Sequence, residues 1–229
     1  MQPYFLPYIG YWQLMAAVDC FVIYDTIKYT KRGWINRNRT LKNGAPELFT
    51  LPLQAAPDTA MVVEREIAAD FRPLSLLQAL RQSYRRAPHW AEVEPLIAEI
   101  ILYPERNLFA YIHHSVAMIR QFLGMANQMV IASTIDCDHG LRSQARVIEI
   151  CRALGATEYL NNLSGASLYD ATLFRSHGLK LSFFTAETPA YPQDSLEFQS
   201  HLSIIDLLAH VSKDRIGTEY LTRFQISSD

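Results

Sequence analysis

The feature that most restricts the fold is the pattern in the last third of the chain. Five segments follow one another there: MVIAST, SQARVIEICRALG, TEYLNN, SLYDATLFRSHG and LKLSFFT. The first, third and fifth are compact β-type runs, and the two between them carry apolar residues at helical spacing. Strand, helix, strand, helix, strand implies a parallel layer with right-handed crossovers. SQARVIEICRALG also has a Ser to cap its start and a Gly to stop it.

The N-terminus shows the same grammar. Ile9 to Val18 is apolar after a Pro-Tyr-Ile-Gly turn and reads as a short buried helix. Cys20 to Tyr24, CFVIY between Asp19 and Asp25, has the pattern of a strand buried on both faces. Turn, helix and buried strand make most of a βαβ unit, and the missing first strand is expected upstream of Met1. Thr26 to Leu53 reads as extended, with Asn43-Gly44 as a hairpin turn. LSLLQALRQSYRRA, EVEPLIAEIIL and NLFAYIHHSVAMIRQFLG are helices, the first stopped by Pro88 and the last by Gly124. The expected class is α/β, a parallel Rossmann-like sheet to which both chain ends contribute. The expected organisation is a single α/β domain over 1–229 with a helical insertion over 74–124.

Composition narrows the function classes. Hydrophobic residues at 49% supply a sizeable core, and a net charge of −2 excludes a global basic field for a nucleic acid backbone. Cys20, Cys137 and Cys151 do not form a disulfide framework and suit a reducing cytosol. No apolar run nears the roughly 18 residues of a membrane span. No Lys or Arg precedes the N-terminal apolar stretch, so it is not a secretory signal. A cytoplasmic location is expected.

Candidate chemistry concentrates in the first forty residues. Tyr8-Ile9-Gly10-Tyr11 opens a helix, and helix starts attract phosphates and carboxylates. Gly10 has no side chain to keep a ligand from the backbone. The layout resembles the nucleotidylyltransferase turn, whose His-x-Gly-His positions would fall on Tyr8 and Tyr11. Tyrosine donates a hydrogen bond but carries no charge near pH 7, so the chemistry would differ. A plain turn with two packed tyrosines fits the same residues. Asp25 ends the apolar strand, where open α/β sheets place ligands; it would orient a ribose, metal or amine, or cap a turn.

Lys28, Lys31, Arg32, Arg37, Arg39 and Lys42 are six cations interleaved with Tyr29 and Trp34. In an extended chain Asn36 and Asn38 face one side and Arg37 and Arg39 the other. One side would read a polar ligand and the other clamp an anion; a solvated charged face is the plainer alternative. Ser164-Gly165 before a helix, with Tyr169 and Asp170 beyond, is a second anion cradle or a loop capped by Ser167. Tyr191-Pro192-Gln193 is a rigid loop over a site or a structural turn. Ser203-x-x-Asp206 reads as helix capping. The scattered histidines, including His113, His114 and His139 near Cys137, complete no zinc pattern.

With these residues in view, the sequence resembles the WbqC-like protein family. The resemblance rests on Gln2-Pro3-Tyr4, Pro7-Tyr8-Ile9-Gly10-Tyr11, FVIYD and Lys31-Arg32-Gly33-Trp34-Ile35-Asn36-Arg37-Asn38-Arg39. It continues through Tyr84, Ala87-Pro88, GATEYLNNLSGASLYD, Tyr191-Pro192-Gln193 and LSIIDLL. It implies a role in bacterial surface-polysaccharide (O-antigen) synthesis and, as suggested for that family, transfer of glycine to an amino sugar. On this reading Tyr8, Tyr11, Asp25 and Arg37 are the catalytic candidates. Gln2, Gly10, Lys28, Arg32, Trp34, Asn36, Asn38, Arg39, Ser164, Gly165, Tyr169 and Gln193 are the substrate-binding candidates. The substrate is a nucleotide-sugar or amino sugar. The donor is open between ATP and an activated glycyl or acyl group, and no metal, extended nucleic acid or membrane span is expected. Two alternatives stand beside this transferase: an ATP-using nucleotidylyltransferase-like enzyme without the usual histidines, and a non-catalytic nucleotide-sugar binding protein.

Overall fold

The computed structural model describes residues 1–228. Helix α1, Ile9–Ala16, is buried at every position from Ile9 to Met15. Apart from Gln13, whose amide donates to the Glu187 and Tyr220 carbonyls, the helix is apolar all round and has no face to give to water, so it lies inside. Strand β1, Cys20–Ile23, pairs in parallel with β4, Gln128–Ile131, with Cys20 beside Gln128 and Ile23 beside Ile131. Met1 donates to the Val22 carbonyl at 2.6 Å and accepts from Tyr24 N–H at 2.9 Å, the bonding pattern of a parallel ladder.

The hairpin of β2, Arg37–Lys42, and β3, Ala45–Thr50, turns at Asn43 and Gly44. Their φ values of 52° and 76° give the doubly positive turn that Asn-Gly favours. The helical block follows as α2, Pro73–Tyr84, α3, Trp90–Ile101, and α4, Leu108–Phe122. Pro73 takes the first position of α2, where its missing N–H costs nothing. Asn107 caps α4 by accepting from Ala110 N–H at 3.0 Å, and Gly124, at φ 69°, ends it.

The last third alternates as its sequence predicts, with altered boundaries. MVIAST is a strand only to Ile131, because Ala132–Thr134 coils into a 3-10 turn. Helix α5 is Ser143–Ala153, with Arg142 at its N-cap and no side-chain cap, so Ser143 is not the cap the sequence suggests. Strand β5, Glu158–Asn162, leads through a 3-10 turn to α6, Ala171–Ser176. The α6 cap is Asp170, accepting from Thr172 and Leu173 N–H, and not Ser167. Strand β6, Lys180–Ala186, runs parallel to β5 and antiparallel to β7, Phe224–Ser228. The short helix α7, Ile204–His210, precedes a tight turn, Lys213–Tyr220, that feeds β7.

Strands from both chain ends do pair, at β1–β4. That ladder is nevertheless separate from β5–β6–β7, so the expected common sheet exists as two pieces. The main core joins α1, the helical block and α7, with Trp12, Tyr111 and Phe184 almost wholly buried. Each large side chain so buried contributes roughly 1.5–3 kcal/mol on leaving water. A smaller core of Val147, Ile148, Cys151, Phe174, Leu181 and Phe183 fills the space between α5, α6 and β6. Among the described residues, no helix is long and apolar enough to cross a membrane.

Candidate functional site

The site starts from a strained turn. Leu6 sits at φ 48°, the left-handed region that a leucine rarely occupies. Its carbonyl accepts from Asn38 Nδ2 at 2.6 Å and from Ser203 Oγ at 2.9 Å. Asn38 also donates to Phe5 O at 3.2 Å, and Phe5 N–H donates to Ile35 O at 3.0 Å. Ile204 N–H donates to the Pro7 carbonyl at 3.1 Å. Bonds from β2 and from the start of α7 therefore lock the turn that presents Gln2, Tyr4 and Tyr8.

These residues line a cleft of about 1130 Å³. It lies beyond the C-terminal ends of β1, β4 and β5, where parallel strands leave room for ligands. Tyr24, Thr26 and Lys28 follow β1, and Ser133 follows β4. Asn161, Ser164, Gly165 and Tyr169 lie at and beyond the end of β5, and Trp34 and Tyr11 complete the N-terminal side. The start of α5 supplies Arg142, Ser143, Gln144 and Arg146. No Asp or Glu lines the cleft among the described residues, whereas Lys28, Arg142 and Arg146 do. Its fixed charge is therefore positive.

The tyrosines add neutral hydroxyl groups and ring faces. Burial pushes the phenols of Tyr4 and Tyr8 up from their ordinary value. Tyr24 rises to about 12, burial outweighing the Arg146 guanidinium stacked over its ring at 5.5 Å. Tyr159 is raised by burial and by Tyr169, whose hydroxyl lies 3.2 Å from its own. Near pH 7 all of these donate or accept hydrogen bonds without charge. The Tyr11 hydroxyl is buried and has no partner among the described residues.

Several residues singled out in the sequence lie together here: Gln2, Tyr8, Tyr11, Lys28, Trp34, Ser164, Gly165 and Tyr169. The others have different surroundings. The space above Gly10 holds the Tyr8 ring, which a Cβ there would meet at 2.5 Å. Asp25 is buried and accepts from the backbone N–H of cleft residue Ser133 at 3.1 Å. Asn36 donates to Leu51 O at 2.7 Å and accepts from Tyr29 at 2.8 Å. Asn38 holds the Leu6 turn. Arg37 donates to the carbonyls of Gly33 and Arg32, and it stacks on Trp34 at 5.7 Å. Arg39 covers the same ring at 5.5 Å and reaches His201 O at 3.4 Å.

The second loop is also internal. Gln193 donates to Asp206 at 2.7 Å and Tyr191 donates to it at 2.8 Å. Asp206 is fully buried, so it ties that loop to α7 instead of closing a capping box. Burial raises its carboxyl above the usual 3.8. Sequence reading placed the start of α5 but gave it no part in the site. Its signal was Arg142 and Arg146 at i,i+4 spacing on the opening turn of a helix that follows a strand.

Comparison with known proteins agrees with the extent of these features. An uncharacterized protein of Mycobacterium tuberculosis is 29% identical over 218 residues, covering 93% of each chain. No solved structure matches. The family model described as the WbqC-like protein family matches residues 2–218, which takes in the strained turn, the hairpin, the start of α5 and α7. The chain belongs to the WbqC-like protein family.

Proposed function

We propose that this chain is a transferase of bacterial surface-polysaccharide synthesis that binds an activated, anionic donor in the tyrosine-lined cleft. The observation that carries this is the lining: cations with no facing carboxylate among the described residues, surrounded by aromatic rings and neutral hydroxyls. Phosphate oxygens match the cations, while sugar or base rings match the Tyr and Trp faces. The position beyond the parallel strand ends suits a Rossmann-like layout, and that layout is part of the proposal.

The transfer envisaged is glycyl or a similar acyl group onto an amino sugar. The neutral amine nitrogen attacks the acyl carbon, and an amide C–N bond forms. The C–O bond to the activating phosphate breaks with its electron pair leaving on the phosphate, and the proton released by the nitrogen passes to that phosphate or to solvent. Tyr8 and Tyr11 supply neutral donors near the carbonyl. Asp25 acts as a positioning residue through Ser133 N–H. Trp34, with Arg37 and Arg39 stacked upon it, forms one edge of the cleft. Gln2, Lys28, Ser164, Gly165 and Tyr169 contact the substrate.

The test incubates the protein with glycine, ATP and a panel of amino-sugar nucleotides, following product mass and pyrophosphate. A glycyl adduct supports transfer, and pyrophosphate release identifies ATP as the activator. If neither ATP nor a preactivated donor yields an adduct, the transferase reading fails. One observation favours a second reading, nucleotidylyl transfer: α1 starts at the cleft with Tyr8 at its N-cap and Tyr11 in its first turn, the spacing that resembles the nucleotidylyltransferase turn. Pyrophosphate released with a nucleotide-sugar product, and no glycine consumed, would identify it. Tight nucleotide-sugar binding without turnover marks a binding protein.

A further inference from the structure

We infer that the start of α5 is the diphosphate subsite of this cleft, with Arg146 as its principal ligand. The inference deepens the transferase reading and rests on it for the identity of the donor. Arg146 is only 9% exposed and lines the cleft. One of its terminal nitrogens donates to Thr26 Oγ1 at 2.8 Å, and its guanidinium carbon lies over the Tyr24 ring, 5.5 Å from the centroid. Its Nε has no partner, and no carboxylate comes within ion-pair distance among the described residues. A guanidinium withdrawn from water without a counter-anion is costly, so its surroundings are completed by an anionic ligand.

The helix that carries Arg146 favours the same ligand. Helix α5 is eleven residues long, begins without a side-chain cap, and has no acid in its first turn. Its opening N–H groups and partial positive charge are therefore left for a ligand. Arg142 stands at the N-cap, one turn before Arg146, and also lines the cleft. Two guanidinium groups and a helix start suit a diphosphate better than a single carboxylate. Ser143, the first helical residue, lies at φ 50°.

Isothermal titration of the full chain with inorganic pyrophosphate, UDP and ADP, against uridine and adenosine, tests the site. The diphosphates bind more tightly than the nucleosides. Arg146→Gln weakens them about tenfold or more, the scale of one lost charged hydrogen bond, and leaves nucleoside binding unchanged. Ser143→Asp guards against misfolding as the cause. Asp tolerates the left-handed region and favours a helix start, so folding is retained while diphosphate binding falls. A preference for UDP points to a nucleotide-sugar and one for ADP to an adenylate, and either supports the site. Diphosphates that bind no better than nucleosides, or both variants binding pyrophosphate within about twofold of the parent, overturn it. A glycyl adduct formed at the parental rate by Arg146→Gln overturns the subsite and leaves the transferase reading standing. Arg146-dependent pyrophosphate binding with no adduct from any donor does the reverse.

Discussion

On the N-terminal side of the cleft, Asn38 gives its amide hydrogens to the carbonyls of Phe5 and Leu6. On the α5 side, Arg146 leaves Nε without a partner. The Asn38 amide is satisfied within the protein, and the Arg146 guanidinium holds one group in reserve. Asn36 and Gln193 repeat the first pattern. The helix start of α5, bare of caps, repeats the second. The difference separates residues that shape a site from residues that bind in it, and chemical type alone does not reveal which is which.

The sharpest way to break this comparison is Asn38→Ala. It strips the Phe5 and Leu6 carbonyls of a buried donor and should lower stability by about 2–3 kcal/mol, read as a drop in the urea midpoint. If stability is unchanged while ligand binding disappears, Asn38 belongs with the binding residues and the comparison collapses.

Asp206→Asn probes the same side by pH. The folded carboxyl of Asp206 is raised by burial, so folding favours its protonated form. Its stabilising contribution is full below the unfolded value of 3.8 and is lost as pH rises through the raised folded value. Unfolding midpoints of the parent, measured upward from pH 3.8, should carry this falling component. Asp206→Asn should remove it while keeping an acceptor for Tyr191 and Gln193. An identical slope in both proteins contradicts the assignment.

Trp34→Ala sharpens the distinction from the other direction. Trp34 is 45% exposed, whereas Trp12 and Trp90 are buried. Its loss should change stability by no more than about 0.5 kcal/mol yet abolish ligand-dependent quenching of tryptophan fluorescence. Quenching that survives the substitution places the ligand elsewhere. The smallest effect belongs to Gly10→Ala. The new methyl displaces the end of the Tyr8 side chain, for a cost of about 1 kcal/mol or less and a measurable shift in ligand affinity. Unaltered affinity would show that the Tyr8 ring takes no part in binding.

Much of the architecture was readable in advance because it follows local rules. The Asn43-Gly44 hairpin, the buried α1 and each single element of the strand–helix alternation arise from a pattern within about fifteen residues. Division of the sheet was not readable, since which strands pair is settled by contacts between distant segments and not by a local pattern. The first forty residues do supply much of the cleft through Gln2, Tyr8, Tyr11, Lys28 and Trp34. The Asn-Arg-Asn-Arg segment drew the eye by its chemical content, but the acceptors that take up Asn36 and Asn38 come from distant chain segments. Arg146 was hidden for the opposite reason. An arginine in an amphipathic helix looks solvated until tertiary packing buries it.

The clasp on Leu6 has a consequence for synthesis. Ser203 Oγ reaches back 197 residues to the Leu6 carbonyl, and Ile204 N–H binds the Pro7 carbonyl. A nascent chain still lacking those residues has the tyrosines of its N-terminal turn but not the closure that holds them in place. Ligand-binding ability should therefore arrive late, after the segment around residue 203 has emerged from the ribosome. Retention on an immobilised ligand would then report completed chains and pass over partial ones.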